Sequence, residues 1–565
     1  MKIIQKIFQD KTKFLLIFLT IFAFLIRFVG QSKIPYGFHR DEAGIAYSAY
    51  SILKTGKDEW GRWFPLHFKA LGDYPPGGYN YLTTFFMIFL GPVELAERMP
   101  AIVFGSLLVP LIYLFVKEYF RNKDLALITA FLTAFSPWDV VQSRSGSEPI
   151  VALFFTLLAW LFLKKWVKKQ QLKYLLVTGF LYILAFYTYN GARVFLPLMH
   201  LIVVWFLASD IKTKKIQAKK LLKLSIPIVF IFVFLITFVK VETSMRFQEV
   251  SLINRSLEQV NFQALFYREA ISKIPVFVSR VLHNKVQVII FDFMSYVTQY
   301  FSGNFLFFQG GFPLRYFVPG VGVLYLIVAP FLLIGLFDQK ILSKKQKIFL
   351  CLWLVLAPLA GSITAEDVPH VKRALYLFSV LHIFSAVGLL ASFNYLKKYK
   401  LNKLFLIFFF LIFSWNFSYF MNQYLIHTKY ETINHRSYGY KELFAKAASL
   451  ENQYKNVIVF EGNDTPHVFY LFYSKYDPKL YQEDADKHQS NLFSEQKKTW
   501  SIGQYMFNPG GCPDKIELKV DELYLSKLEC ETELKPYINM KDFVLMPDGS
   551  KKFIIFEYNG LAIDK

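Results

Sequence analysis

Residues 11–42 read KTKFLLIFLTIFAFLIRFVGQSKIPYGFHRDE, and two features of that stretch decide the fold. The first is an apolar run, Phe14 to Val29, preceded by Lys2, Lys6, Lys11 and Lys13. The run is unbroken rather than alternating, so it reads as a helix able to enter a hydrocarbon core and not as a barrel strand. Basic residues ahead of it set the N-terminus on the cytoplasmic side. The outline is that of a signal peptide, yet no small-residue cleavage site follows, and the run is taken as an anchor helix. The second feature, His39-Arg40-Asp41-Glu42, then lies outside.

The same pattern repeats along the chain. Further spans are expected over Glu97–Val116, Leu125–Trp138, Pro149–Leu163, Tyr174–Tyr189, Val194–Ala208 and Leu221–Val239. Four more follow at Phe317–Phe337, Ile348–Ile363, Ala374–Ala391 and Leu404–Phe420, which makes eleven. Five basic clusters support this threading: Lys117, Arg121 and Lys123; Lys164, Lys165, Lys168 and Lys169; Lys212, Lys214, Lys215, Lys219 and Lys220; Lys340, Lys344, Lys345 and Lys347; and Lys397, Lys398, Lys400 and Lys403. All fall on the side of the N-terminus, as the positive-inside rule requires. Tyr79–Leu90 is apolar but short for a crossing, and counting it would put the later clusters outside. A helix at the outer interface is expected there.

Composition agrees. Of 565 residues, 54% are hydrophobic and only 19% charged, with 62 Phe and 34 Tyr; mean hydropathy is +0.33. The net charge of +22 is distributed in short clusters between apolar runs, so no basic domain exists to lie along a nucleic acid. Cys351 sits in an apolar run, and Cys512 and Cys530 lie in the polar tail without metal spacing. The latter two form one disulfide in an oxidising compartment, or stand as free thiols.

An odd number of crossings leaves 422–565 outside. There acids, Asn, Gly and Pro return; Val457–Glu461 and Lys552–Tyr558 read as buried strands and His467–Lys475 as a short helix. The expected architecture is an all-α polytopic membrane protein, residues 1–421, with external loops 31–96 and 241–315. A small extracytoplasmic α/β C-terminal domain, 422–565, completes it.

Ionisable groups at the outer ends of spans are costly and point to function. The Asp41-Glu42 pair can supply a general base for a hydroxyl or amine acceptor. Capping of the helical pattern Ala43–Leu53 explains one acid but not the packed cluster. In Ser143-Arg144-Ser145-Gly146-Ser147-Glu148-Pro149, Glu148 opens a span, with capping or pairing to Arg144 as the alternative; Asp139 nearby reads as a solvated loop acid. Gly72-Asp73-Tyr74-Pro75-Pro76 is a stiff turn, and Arg98 after it opens a span or snorkels. His370, Lys372 and Arg373 are basic residues on the face where such residues are disfavoured. They suit an anionic phosphate, or pair with Glu366 or Asp367. Arg193, in Tyr189-Asn190-Gly191-Ala192-Arg193, is a similar candidate.

Asp41-Glu42 after the first span, the Tyr-Pro-Pro turn, Arg98-Met-Pro-Ala-Ile-Val-Phe-Gly-Ser-Leu-Leu-Val-Pro and Ser143-Arg144 followed by an acid together resemble the GT-C glycosyltransferases. The protein O-mannosyltransferase and aminoarabinose transferase group is the nearest in pattern. The likeness covers about the first 200 residues. It implies a GT-C-like fold, a polyprenyl-phosphate sugar donor, an inverting transfer, Asp41 as base, a supporting role for Glu42 and a phosphate- or site-organising role for Arg98. Glu148 matches a second acidic position that is usually Asp in the group. The sheet-rich central domain of eukaryotic mannosyltransferases is missing, so the chain resembles bacterial-type members.

The expected function is therefore glycosyl transfer at the extracytoplasmic face of the cell membrane. Asp41, Glu42 and Glu148 are the catalytic candidates, and Arg98, Arg144, Tyr74, Arg193, His370, Lys372 and Arg373 the binding ones. The partners are the lipid-linked donor, the bilayer and a lipid, glycan or protein acceptor, with no nucleic acid. No cofactor and no metal ligand is assigned; a divalent metal is used by some members of the superfamily and not by others. The rival readings are a polysaccharide polymerase or ligase with a pyrophosphate-linked donor, a lipid-linked sugar transporter or flippase, and a non-catalytic surface protein. Apolar spans with charges gathered at one face disfavour alternating access.

Overall fold

Each expected span that is described contains a helix, and the way those helices bury their faces separates centre from periphery. The computed structural model describes residues 11–70, 73–208, 223–238, 250–254, 262–462, 464–492 and 499–561. Lys2, Lys6, Gly72, the Lys212–Lys220 cluster and parts of the Leu221–Val239 span and of loop 241–315 lie outside them. Among the described residues six helices are long and apolar enough to cross a membrane: Glu94–Phe120, Glu148–Lys169, Asn190–Ala208, Lys344–Ser362, Tyr376–Lys398 and Asn402–Glu431. A seventh counts if Lys123–Phe135 and Pro137–Arg144, bent by 49°, are one span. The bend falls where Ser136-Pro137 interrupts the hydrogen-bond ladder and restarts a helix. The other four expected spans hold helices that are shorter or more basic: Lys11–Phe28, Leu172–Thr188, Ile226–Phe238 and Leu326–Phe337. In the last, 317–325 is not helical as expected, because Pro319, Gly320 and Gly322 break the run. The chain is a multi-pass membrane protein.

By packing the chain forms two units, Met1–Val29 with Ala101–Tyr424, and Gly30–Pro100 with Leu425–Lys565. In the first, Tyr376–Lys398 is the central helix, buried continuously from Tyr376 to Leu390. Gly388 on it and Gly335 on Ala329–Phe337 face each other: a Cβ at Gly388 would meet the Phe331 carbonyl, and one at Gly335 the Phe384 carbonyl. Backbones approach this closely only where both side chains are missing. Asn402–Asn422 is peripheral by contrast. It buries only Phe409, Phe413, Asn416 and Phe420 and exposes Ile407, Phe408, Leu411 and Trp415, a face suited to lipid.

The second unit holds a six-stranded sheet: β1 (Asn456–Phe460), β2 (Trp500–Ile502), β3 (Tyr505–Asn508), β4 (Glu522–Lys527), β5 (Ile538–Leu545) and β6 (Lys551–Tyr558). The order is β2-β3-β1-β4-β6-β5. Strand β1 runs parallel to β3 and β4, and the remaining pairs are antiparallel. Being central, β1 is buried on both faces, which is why its sequence NVIVF is apolar without alternation. Val457 and Val459 join one core, Ile458 and Phe460 the other. The first core also takes in Ala43, Ala46, Tyr47 and Tyr50 from helix Arg40–Thr55 and Phe469 and Phe472 from helix Pro466–Tyr473. The segment after the first expected span and the C-terminal sheet thus share one hydrophobic core. Cys512 and Cys530 form a disulfide with Cα atoms 5.5 Å apart. Helix Gly78–Leu90, 13 residues and about 20 Å long, is well short of a ~30 Å hydrocarbon core.

Candidate active site

In the second unit His39 is the N-cap of helix Arg40–Thr55, and its Nδ1 accepts from the Asp41 N–H at 3.2 Å. Glu42, three residues on, closes the capping box by accepting from the His39 N–H at 2.8 Å. The Glu42 carboxylate is buried and receives two guanidinium groups as well, from Arg98 at 3.3 Å and Arg436 at 3.0 Å. Arg98 also donates to the carbonyls of Gly37 (2.8 Å) and Gln31 (3.4 Å) and lies over the Phe38 ring. Every one of these contacts fastens the chain to itself. Asp41 is placed differently: its side chain is 53% exposed, with Oδ2 3.2 Å from His39 Nδ1 and Oδ1 3.9 Å from Arg40 Nε. Of the two adjacent acids, one is saturated by donors and the other opens to solvent. Tyr74 is half-buried in its turn, where its N–H donates to Asp73 Oδ1 at 2.7 Å.

In the first unit Glu148 starts helix Glu148–Lys169 and pairs with Lys372 at 2.9 Å. Lys372 Nζ also donates to the Gly146 carbonyl at 3.0 Å and stands 5.1 Å over the Tyr316 ring. Arg373 donates to Thr364 Oγ1 (2.8 Å) and to the Glu366 carbonyl (3.0 Å) and carboxylate (2.9 Å). His370 holds the backbone that carries both cations: its Nδ1 accepts the backbone N–H groups of Lys372 (3.2 Å) and Arg373 (3.3 Å), while its own backbone N–H donates to Tyr300 Oη at 2.9 Å. Burial, with Arg373, Arg315 and Lys372 around it, holds His370 well below the ordinary imidazole range, so it stays neutral. Burial also disfavours a charged Lys372, but Glu148 and then Tyr316 outweigh it, and the ammonium is held above its usual range. Around His370 stand Arg315, Lys372 and Arg373, of which Lys372 pairs with Glu148 and Arg373 with Glu366. Tyr189 lies within electrostatic reach of Arg373, Glu148 and Lys372. A small hollow, with room for about one water molecule, is lined by Tyr316 and Val371 next to the cluster and by Trp138, Val141 and Gln142.

Several sequence expectations are re-sorted by these contacts. Glu148 pairs with Lys372 and not with Arg144. The guanidinium of Arg144 caps the first helix instead, donating to the carbonyls of Ile26 (2.6 Å), Arg27 (3.2 Å) and Val29 (2.8 Å). Asp139 is not a solvated loop acid: it is fully buried and paired with Arg27 at 2.8 Å, because helix Pro137–Arg144 lies inside the bundle. Arg193 is half-buried in the first turn of Asn190–Ala208. Arg436, Arg315 and Tyr316 went unread. Arg27 had a signal, an ionisable group in an apolar run that demands a partner; Arg436, in a polar loop 394 residues from Glu42, had none. Among the described residues no three His, Cys, Asp or Glu side chains gather as a metal site.

Residues 73–239 match the family described as dolichyl-phosphate-mannose-protein mannosyltransferase. That match bears out the resemblance to GT-C glycosyltransferases read from the motifs. Comparison with curated proteins gives no match. Among solved structures, ArnT from Cupriavidus metallidurans in the apo state aligns over 97% of this chain and 99% of its own, at 12% identity and a TM-score of 0.49. The same protein bound to undecaprenyl phosphate aligns with equal coverage, at 11% and 0.47. The oligosaccharyltransferase AglB from Archaeoglobus fulgidus, in complex with an inhibitory peptide and a dolichol-phosphate, aligns over 99% of this chain and 75% of its own, at 15% and 0.45. Scores of this size are too loose to carry residue assignments.

Proposed function

We propose that this chain is a membrane glycosyltransferase that moves a sugar from a polyprenyl-phosphate carrier to an acceptor at the extracytoplasmic face. The observation that carries the reading is the pair of cations Lys372 and Arg373, held on Glu148 and Glu366 along a segment whose backbone N–H groups His370 accepts. The family match over 73–239 supports the same activity. In the reaction Asp41 takes the proton of an acceptor hydroxyl or amine as its oxygen or nitrogen attacks the anomeric carbon. The bond from that carbon to the phosphate oxygen breaks with inversion, and the lipid phosphate leaves with the electron pair. Negative charge grows on the departing phosphate, so Lys372, Arg373 and Arg315, fixed beforehand, stabilise the transition state more than the ground state. Glu148 keeps Lys372 charged and aimed. Eleven crossings, a cytoplasmic N-terminus and residues 422–565 outside complete the proposal.

The test offers purified protein, with crude membranes supplying acceptor, a panel of radiolabelled polyprenyl-phosphate sugars and follows loss of label from the lipid. One labelled donor should be consumed by the wild type and spared by Asp41→Asn. Consumption of pyrophosphate-linked donors alone would favour a polymerase or ligase, and lipid movement without bond cleavage a flippase.

A further inference from the structure

The second unit contains an open groove of about 210 Å³, lined by Ser32, Lys33 and 35–38 on one side and by 437–439, Lys441 and Glu442 on the other, with Glu94 and Tyr473 between. Its walls are held from behind by the buried ionic group already described. Arg98 fastens Gly37 and Gln31, Arg436 fastens the 437–442 side, and both meet on Glu42. The walls touch at Gly37, where φ is +79° and a Cβ would stand 2.5 Å from the Arg436 carbonyl, so only glycine fits. Ser437, lining the opposite wall, holds a left-handed φ of +51°, a conformation that persists only when its surroundings enforce it.

The chemistry of the lining narrows the ligand. Lys33 and Lys441 balance Glu94 and Glu442, so the groove has no cationic surplus for a phosphate. Glu94 already accepts from Tyr473 Oη at 3.0 Å and Lys441 Nζ at 3.1 Å, which leaves an alternation of carboxylate, ammonium and phenol groups along the rim. Tyr36, Tyr438 and Tyr473 add rings to those groups. Mixed donors and acceptors with aromatic surface suit a ligand whose hydroxyls both donate and accept and whose C–H faces are apolar. The 32–38 wall runs directly into the helix whose first turn carries Asp41.

From this we infer that the groove binds the neutral carbohydrate portion of the acceptor, so that the acceptor of this enzyme is a glycan. The inference rests on the glycosyl-transfer reading proposed above, but its test separates the two. Purified full-length protein in detergent is titrated by saturation-transfer NMR with mannobiose, maltose and chitobiose. Mannose 6-phosphate and a 12-residue Ser/Gly/Thr peptide are the contrasting probes. At least one neutral disaccharide should bind with a millimolar Kd, weakened about tenfold or more by Tyr438→Ala and by Glu442→Gln. Thermal unfolding checks that each variant is folded, and the second serves if the first is not. Asp41→Asn should keep saccharide binding while losing transfer. Binding to the wild type that neither folded variant weakens would overturn the groove, as would binding of the peptide or the sugar phosphate in place of neutral saccharides. Normal transfer by Asp41→Asn would overturn the proposed base and leave the groove standing.

Discussion

The two charged clusters are built from the same side chains and differ in how completely those side chains are used. Around Glu42, two arginines and the His39 N–H converge on one buried carboxylate, and Arg98 also donates to two carbonyls. Around His370, Lys372 pairs with Glu148 and Arg373 with Glu366, and all four side chains keep partial access to solvent. A saturated cluster is a fastening, since removing one partner strands the other in low dielectric. A cluster whose ion pairs keep partial access to solvent can still meet an arriving anion. Mere proximity of acids and bases does not tell the two apart. The hydrogen-bond ledger of each group does.

The sharpest way to break this contrast is at the adjacent acids. Asp41→Asn should lower transfer by about 10²–10⁴-fold while leaving the unfolding temperature unchanged, as label transfer and thermal unfolding of the same preparation will show. Glu42→Ala should do the reverse first: a loss of about 3–5 kcal/mol of stability, read as a lowered melting temperature and poor yield, with activity falling only in step with folded protein. If Glu42→Ala folds normally, the fastening interpretation fails. Next in size, Lys372→Met should cut kcat about 10²-fold, and Lys372→Arg should recover part of it. Equal loss of stability in both variants would mark Lys372 as structural. The smallest effect concerns pH. Unfolded chain binds a proton on His370 near pH 6.5, whereas the folded protein, with its lowered pKa, refuses it. Stability from this group is thus full above that range and is lost as pH falls towards the folded value. His370→Asn should flatten that acid slope in thermal unfolding, by less than the buried-pair effect above.

How much of this was legible in sequence follows from the range of the forces involved. Helix-forming apolar runs announce themselves locally, so every described span held a helix. The misplaced stretch, 317–325, was one whose Pro and Gly residues were outvoted by their apolar neighbours. Among the strands, β1 and β6 were readable because burial makes them continuously apolar, whereas β5, mostly exposed at the sheet edge, mixes Lys and Asp into its run. Candidate residues were found because ionisable groups at span ends stand out. Their partners were not, because Glu42–Arg436 and Glu148–Lys372 are joined only by tertiary folding. Arg144 is an instance: in sequence it looks like a ligand for phosphate, and only the folded chain shows one of its nitrogens donating to three carbonyls of the first helix.

The touching glycines, Gly335 and Gly388, carry a consequence for genetics. Lys372 and Arg373 stand just ahead of the helix that Gly388 locks against its neighbour. A single methyl group added at that crossing would force the two rods apart and tilt the post on which both cations are mounted. A random screen for inactive mutants should therefore return uncharged, small-to-larger changes deep in the bundle beside losses of the charged residues themselves, and their defect would mimic the loss of Lys372 or Arg373.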